Sequence, residues 1–152
     1  MTNKYLPLLA LVCTAFGVLL AGCAGSVPTN IGVQGGRLAL CPSSPNCVSS
    51  YDIDERHGVA PVVLSGKAAE AGMAHVRQAV EALPGARVVG QGETYLRAEF
   101  ASRVFGFVDD LECLYDASTH TVHMRSAARL GYYDFGVNRA RIELLRELLS
   151  HQ

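Results

Sequence analysis

Between Thr94 and Ala127 apolar and polar residues alternate along the chain, the period of strands with one buried face. In a strand over 94–101, Leu96, Ala98 and Phe100 share one side, while Tyr95, Arg97 and Glu99 share the other. A second strand, 107–115, groups Leu111, Cys113 and Tyr115 and stops at the turn residues Asp116-Ala117-Ser118-Thr119. A third, 121–127, turns Val122 and Met124 inward and His123 and Arg125 outward. Residues 87–89 form another strand before the turn Gly90-Gln91-Gly92-Glu93. Connections this short make hairpins, so neighbouring strands are expected to be antiparallel. Upstream, 59–64 is a short β-rich run in which Pro61 indicates a sheet edge.

The period lengthens to that of a helix over 67–83, where Ala68, Ala71, Val76, Ala79, Val80 and Leu83 form a stripe. Ser65 is a suitable cap, Gly72 weakens the helix modestly, and Pro84-Gly85 stops it. A second helix is predicted over 135–149, with Asp134 as N-cap and an apolar face from Val137, Ile142, Leu144, Leu145, Leu148 and Leu149. Arg139 and Glu143 stand one turn apart and can pair. The order β-α-β-β-β-β-α predicts an α+β domain: a curved antiparallel sheet with two helices on one face. That topology resembles a half-repeat of the TATA-binding-protein fold, a likeness that carries no function with it. With both helices on the Leu96 side, Arg97, Glu99, Asp110, Glu112, His123 and Arg125 occupy the opposite face. That face is expected to be a solvated surface of cross-strand ion pairs, or else a concave polar site for a small anion.

The first residues do not belong to this domain. Met1-Thr2-Asn3-Lys4 is a short basic start, Leu6–Leu20 is almost unbroken apolar sequence, and Leu20-Ala21-Gly22-Cys23 resembles a bacterial lipobox. The apolar run is shorter than the roughly 20 residues of a spanning helix. We therefore expect a lipoprotein signal peptide over 1–22 and acylation, including palmitate, on Cys23. The lipidated N-terminus and a flexible tether follow over 23–38, then a single globular domain over 39–152. Ala24, rather than Asp, follows the cysteine, which is expected to direct the protein to the outer membrane, facing the periplasm. With 13 basic and 14 acidic residues the chain has no basic footprint for nucleic acid.

Cys41-Pro42-Ser43-Ser44-Pro45-Asn46-Cys47 is restrained by two prolines, and an exported chain crosses an oxidising compartment, so a Cys41–Cys47 disulfide is the preferred reading. The alternative is a metal shared with His57, His120 or His123, although the spacing fits no standard zinc framework. Cys113, on the face of Leu111 and Tyr115, reads as a buried free thiol. No nucleophile elbow, zinc-protease helix, P-loop or complete dinucleotide fingerprint is present, and no metal or cofactor is expected. The most specific chemistry lies at element junctions, in Asp109, Asp110, Arg125, Arg129, Asp134, Asn138 and Arg139. Arg129 and Arg139 are expected to pair with Asp109 and Asp134. Phe105, Phe107, Tyr132 and Tyr133 either fill the core end, wall a ligand site, or rest at lipid headgroups.

Three ordered motifs carry a resemblance: Cys41-Pro42-x-x-Pro45-Asn46-Cys47-Val48-Ser49-Ser50, Phe107-Val108-Asp109-Asp110, and Arg125-Ser126-Ala127-x-Arg129-x-Gly131-Tyr132-x-Asp134-Phe135-Gly136-Val137-Asn138-Arg139-x-Arg141. Over residues 40–149 the chain resembles the domain-of-unknown-function family numbered 1499. The resemblance implies a bacterial or plastid protein, often lipidated or membrane-attached, with no assigned activity. Ala128 stands where the family often has serine, and Cys113 where an aromatic is usual. The expected function is a membrane-anchored, non-enzymatic module that binds a small polar ligand or an envelope partner through the 125–139 region. The alternatives are a structural lipoprotein and an enzyme of unassigned class using Asp109, Asp110, Arg129 and Asp134. On the first reading, Arg129→Ala should abolish capture and leave stability nearly unchanged.

Overall fold

Leu96, Ala98, Phe100, Leu111, Cys113, Tyr115, Val122 and Met124 do share one buried side of an antiparallel sheet in the computed structural model, which describes residues 25–102 and 105–150. The signal peptide expected over 1–22 and Cys23 lie outside the described residues. The strands are β1 (Cys47–Ser49), β2 (Val62–Val63), β3 (Ala86–Gln91), β4 (Tyr95–Ala101), β5 (Val108–Asp116) and β6 (Thr121–Ala128). They pair in the order β1-β6-β5-β4-β3, and β2 also pairs with β6, beyond β1 on the same edge. The helices are α1 (Gly66–Ala71), α2 (Met73–Glu81) and α3 (Val137–Ser150). Val76, Ala79 and Val80 of α2 meet Ile142, Leu145 and Leu149 of α3 in the core over the sheet. Each buried valine, leucine or isoleucine here contributes about 1.5–3 kcal/mol of transfer free energy, which makes this face the main source of stability.

The structure confirms an α+β domain and corrects several details. Cys47–Ser49, expected as loop, is a strand whose residues pair with Ala127, Ser126 and Arg125 of β6. The run 59–64 shortens to Val62–Val63. The single helix over 67–83 is two helices broken at Gly72, whose backbone (φ 52°, ψ −120°) suits glycine alone. A Cβ there would come within 3.0 Å of the Tyr115 ring, so the break lets α1 and α2 close down on the sheet. Ser65 makes no side-chain cap. The last helix begins at Val137, two residues later than expected, yet Asp134 still caps it: its carboxylate accepts the backbone N–H groups of Gly136 (3.0 Å) and Asn138 (2.9 Å). Glu143 pairs with Arg146, not with Arg139.

The larger correction concerns the outer face of the sheet. It is not solvated: Asp110 is 1 % exposed and Glu112 0 %. Residues 25–38, expected as a flexible tether, contact it at three places. Gly25 lies against Arg129 and Leu130, and the N–H of Gly32 donates to Glu112 at 2.7 Å. Arg37 sits over the Tyr51 ring, which in turn stacks on His123 at 4.3 Å. Leu38, at the end of this strap, is buried.

Candidate functional site

Two polar networks flank the sheet, one on each side. On the outer side Arg129 makes a two-pronged contact with Asp110, Nε to Oδ2 at 2.7 Å and Nη2 to Oδ1 at 2.9 Å, and also reaches Glu99. Arg97 joins the same two carboxylates, and Arg125 donates to Glu112 at 3.0 Å directly across from it. The Tyr95 hydroxyl and the Gly32 N–H complete the shell of Glu112. Guanidinium and carboxylate charges therefore balance inside an enclosed layer. Burial, and then the Glu112 charge, hold the Tyr95 hydroxyl well above its ordinary ionisation range. The paired carboxylates of Asp110 and Glu99 hold Arg129 still more firmly cationic. Within this layer Nε of Arg125 is buried and has no hydrogen-bond partner among the described residues.

The inner network ties the cysteine loop to α3. The predicted Cys41–Cys47 disulfide is present, with Cα atoms 5.6 Å apart. It fixes Asn46, whose side chain donates to the Gly131 carbonyl at 2.6 Å and whose own carbonyl accepts from Ala128 and from the Asn138 amide. Asn138 is fully buried, accepts from Ser126 Oγ at 2.6 Å, and donates back to Asp134. Arg141 binds Ser126, Asn138 and, at 2.8 Å, Asp109, and its guanidinium lies 4.2 Å over the Phe100 ring.

The expected site residues are thus divided. Asp110, Arg125 and Arg129 belong to the outer layer, whereas Asp109, Asp134 and Asn138 belong to the inner network. Arg139 joins neither, since it donates to the carbonyls of Glu55, Arg56 and Gly58 and holds the loop after β1. The expected pairing of Arg129 and Arg139 with Asp109 and Asp134 is replaced by Arg129–Asp110 and Arg141–Asp109. Arg141 was absent from the expected site. Its signal in the sequence is an arginine one turn from Asn138, on the α3 face that carries Ile142 and Leu145. His57 contacts Asp54 and the Ser44 carbonyl. Among the described residues no three His, Cys, Asp or Glu side chains are grouped to hold a metal. Cys113 is a buried free thiol, and burial followed by the neighbouring Glu112 charge pushes its pKa up to about 12.

The open space lies elsewhere. At one end of the sheet a cleft of about 680 Å³ is bounded by the stop after α2 (Leu83 to Gly85), the ends of β4, β5 and β6, and the first turns of α3. Phe105, Phe107, Leu130, Tyr133, Phe135 and Leu144 form much of its wall, all substantially exposed. The paired Arg141 and Asp109 also line it. Asp109 is engaged by Arg141, and Asp134 accepts donors from Gly136 and Asn138, so each carboxylate at the cleft has a structural partner. Burial and pairing of this kind define a small α+β domain with an internal charge layer and an apolar-walled cleft at one end of the sheet.

The family described as "Protein of unknown function (DUF1499)" matches residues 37–149, and the chain belongs to it. No curated protein and no solved structure matches the chain, and no comparison supports the expected likeness to a TATA-binding-protein half-repeat. Among the described residues no helix is long and apolar enough to cross a membrane.

Proposed function

We propose that this protein is a lipid-anchored lipoprotein of the bacterial envelope, attached through acylated Cys23 and facing the periplasm from the outer membrane. On this reading it is a non-enzymatic binding module whose cleft takes the apolar part of an amphiphile. The observation that carries the reading is the contrast between the two candidate sites. Arg125 and Arg129, expected to capture a polar ligand, are already paired with carboxylates in an enclosed layer, and Arg139 donates to backbone carbonyls. The cleft, by contrast, is open, apolar-walled and within the roughly 300–1,000 Å³ of small-molecule sites. Arg141 and Asp109 then act as a neutralised, rigid side of the cleft that keeps its walls apart.

The test is capture of a fluorescent fatty acid by the leaderless chain, followed by displacement with unlabelled single-chain amphiphiles. Ala140→Trp, on an exposed helix position lining the cleft, fills the space without touching the core. Saturable capture that this variant loses supports the reading. Capture that survives it, or none in the parent chain, refutes it. Displacement by a small polar anion but by no amphiphile would return the function to a polar ligand.

A further inference from the structure

The aromatic residues around the cleft do more than wall it. Tyr133 and Phe135 meet edge to face with centroids 5.2 Å apart, and Phe105 and Phe107 lie 5.7 Å apart, all four exposed. Phe135 is the extreme case, 87 % exposed with a left-handed backbone (φ 57°). That conformation is strained for a non-glycine residue, and burial within the fold returns little of the cost. Neighbouring Asp134 holds the turn by accepting the Gly136 and Asn138 N–H groups, so the phenyl ring is presented outward by a fixed frame.

The second observation is where the chain enters the domain. Gly25 packs so closely on the lip of the cleft that a Cβ there would lie 3.1 Å from Leu130 Cγ. Cys23 is two residues away, about 7 Å of extended chain. The strap behind it has little slack, since Gly32 is bonded to Glu112 and Leu38 is buried. The described chain therefore enters the domain at the same end as the exposed aromatics, and Cys23 precedes that point by two residues.

We propose that this end is a membrane-docking face: the rim formed by Phe105, Tyr133 and Phe135 beds into the bilayer that holds the Cys23 acyl chains. The proposal rests on the lipoprotein reading above. Tyrosine settles at the lipid–water boundary and phenylalanine just beneath it, and an acylated Cys23, two residues before Gly25, would hold this end of the domain near that boundary. The domain would then stand with the cleft mouth on the membrane, where an acyl chain can enter it without crossing water. The β5–β6 turn at the opposite end of the sheet would point away.

The chain contains no tryptophan, so one placed by substitution reports alone. Phe135→Trp and Phe105→Trp put it on the rim. Val63→Trp puts it on an exposed position paired with Thr121, about 24 Å from the cleft end of β6 at a strand rise of about 3.4 Å per residue. The processed, acylated full-length variants are reconstituted in phosphatidylethanolamine–phosphatidylglycerol vesicles, with and without bromine on the acyl chains, and flotation is scored in the same samples. The proposal predicts blue-shifted emission and strong bromine quenching for both rim variants, and neither for Val63→Trp. Protein that floats with the vesicles but shows no rim quenching overturns docking while leaving the anchor intact. Equal quenching at all three positions overturns the orientation. Failure to float overturns the anchor, and docking with it.

Discussion

Replacing Arg129 by alanine removes a guanidinium whose side chain is 6 % exposed from a carboxylate, Asp110, that is 1 % exposed. Glu99 loses the same partner. Arg97 remains, but it must then serve two carboxylates in a layer that no longer balances. Removing one member of a buried ion pair costs about 3–5 kcal/mol, because the other charge stays behind without compensation. With an m value of about 1.5 kcal/mol per molar urea, a loss of about 3 kcal/mol lowers the unfolding midpoint by about 2 M. Equilibrium urea unfolding followed by far-ultraviolet circular dichroism measures this directly. Arg87→Ala is the internal control: Arg87 pairs with the same Glu99, but from an exposed position, so its loss should cost no more than about 1 kcal/mol. Arg129→Ala combined with Asp110→Ala should recover part of the loss, since the abandoned charge is gone. A midpoint for Arg129→Ala within error of the Arg87→Ala midpoint would show that the layer is not structural. The original expectation of an Arg129 that matters for capture and not for stability would then return.

Three further outcomes follow from particular residues. Gly72→Ala, which in an ordinary helix would stabilise, should lower the melting temperature, because the backbone there is left-handed and the added methyl meets the Tyr115 ring; a rise would contradict the close approach. Replacing Cys41 and Cys47 by alanine should cost about 2 kcal/mol by the loop-closure relation and loosen Asn46 from Gly131 and Asn138, seen as faster amide exchange at the start of α3; unchanged exchange would deny that link. The Cys113 thiol ionises near 9.0 when unfolded but at about 12 when folded, so its contribution is intact below pH 9 and is lost as pH rises from 9 towards 12. Cys113→Ala should flatten the alkaline fall in stability over that window, and an unchanged slope would contradict it.

Much of the fold was legible because burial on one side imposes a period. Leu96 to Phe100, Leu111 to Tyr115 and Val122 to Met124 alternate, and all of them occupy the core. The outer face was misread for a physical reason. Arg97, Glu99, Asp110, Glu112 and Arg125 form the same alternating pattern whether water or their own counter-charges solvate them. The segment that covers them is rich in glycine and small polar residues, and works through a backbone N–H at Gly32, which no side-chain pattern reveals. The break at Gly72 depends on Tyr115, more than forty residues away in the chain, and so could not be told from a tolerated helix glycine. The charged site was legible as residue types but not as partners, because Asp109 and Asp110 point to opposite sides of β5. The cleft left no local signature, since its walls come from the ends of several elements.

The central claim is that the working surface is the apolar cleft and not the arginine layer. Native mass spectrometry of the protein, gently extracted from the cells that make it, tests it most directly. The account predicts a bound species with the mass of an acyl-chain amphiphile, present on the parent protein and absent from Ala140→Trp. A small polar species retained by both proteins, or no bound species on the parent, would contradict it.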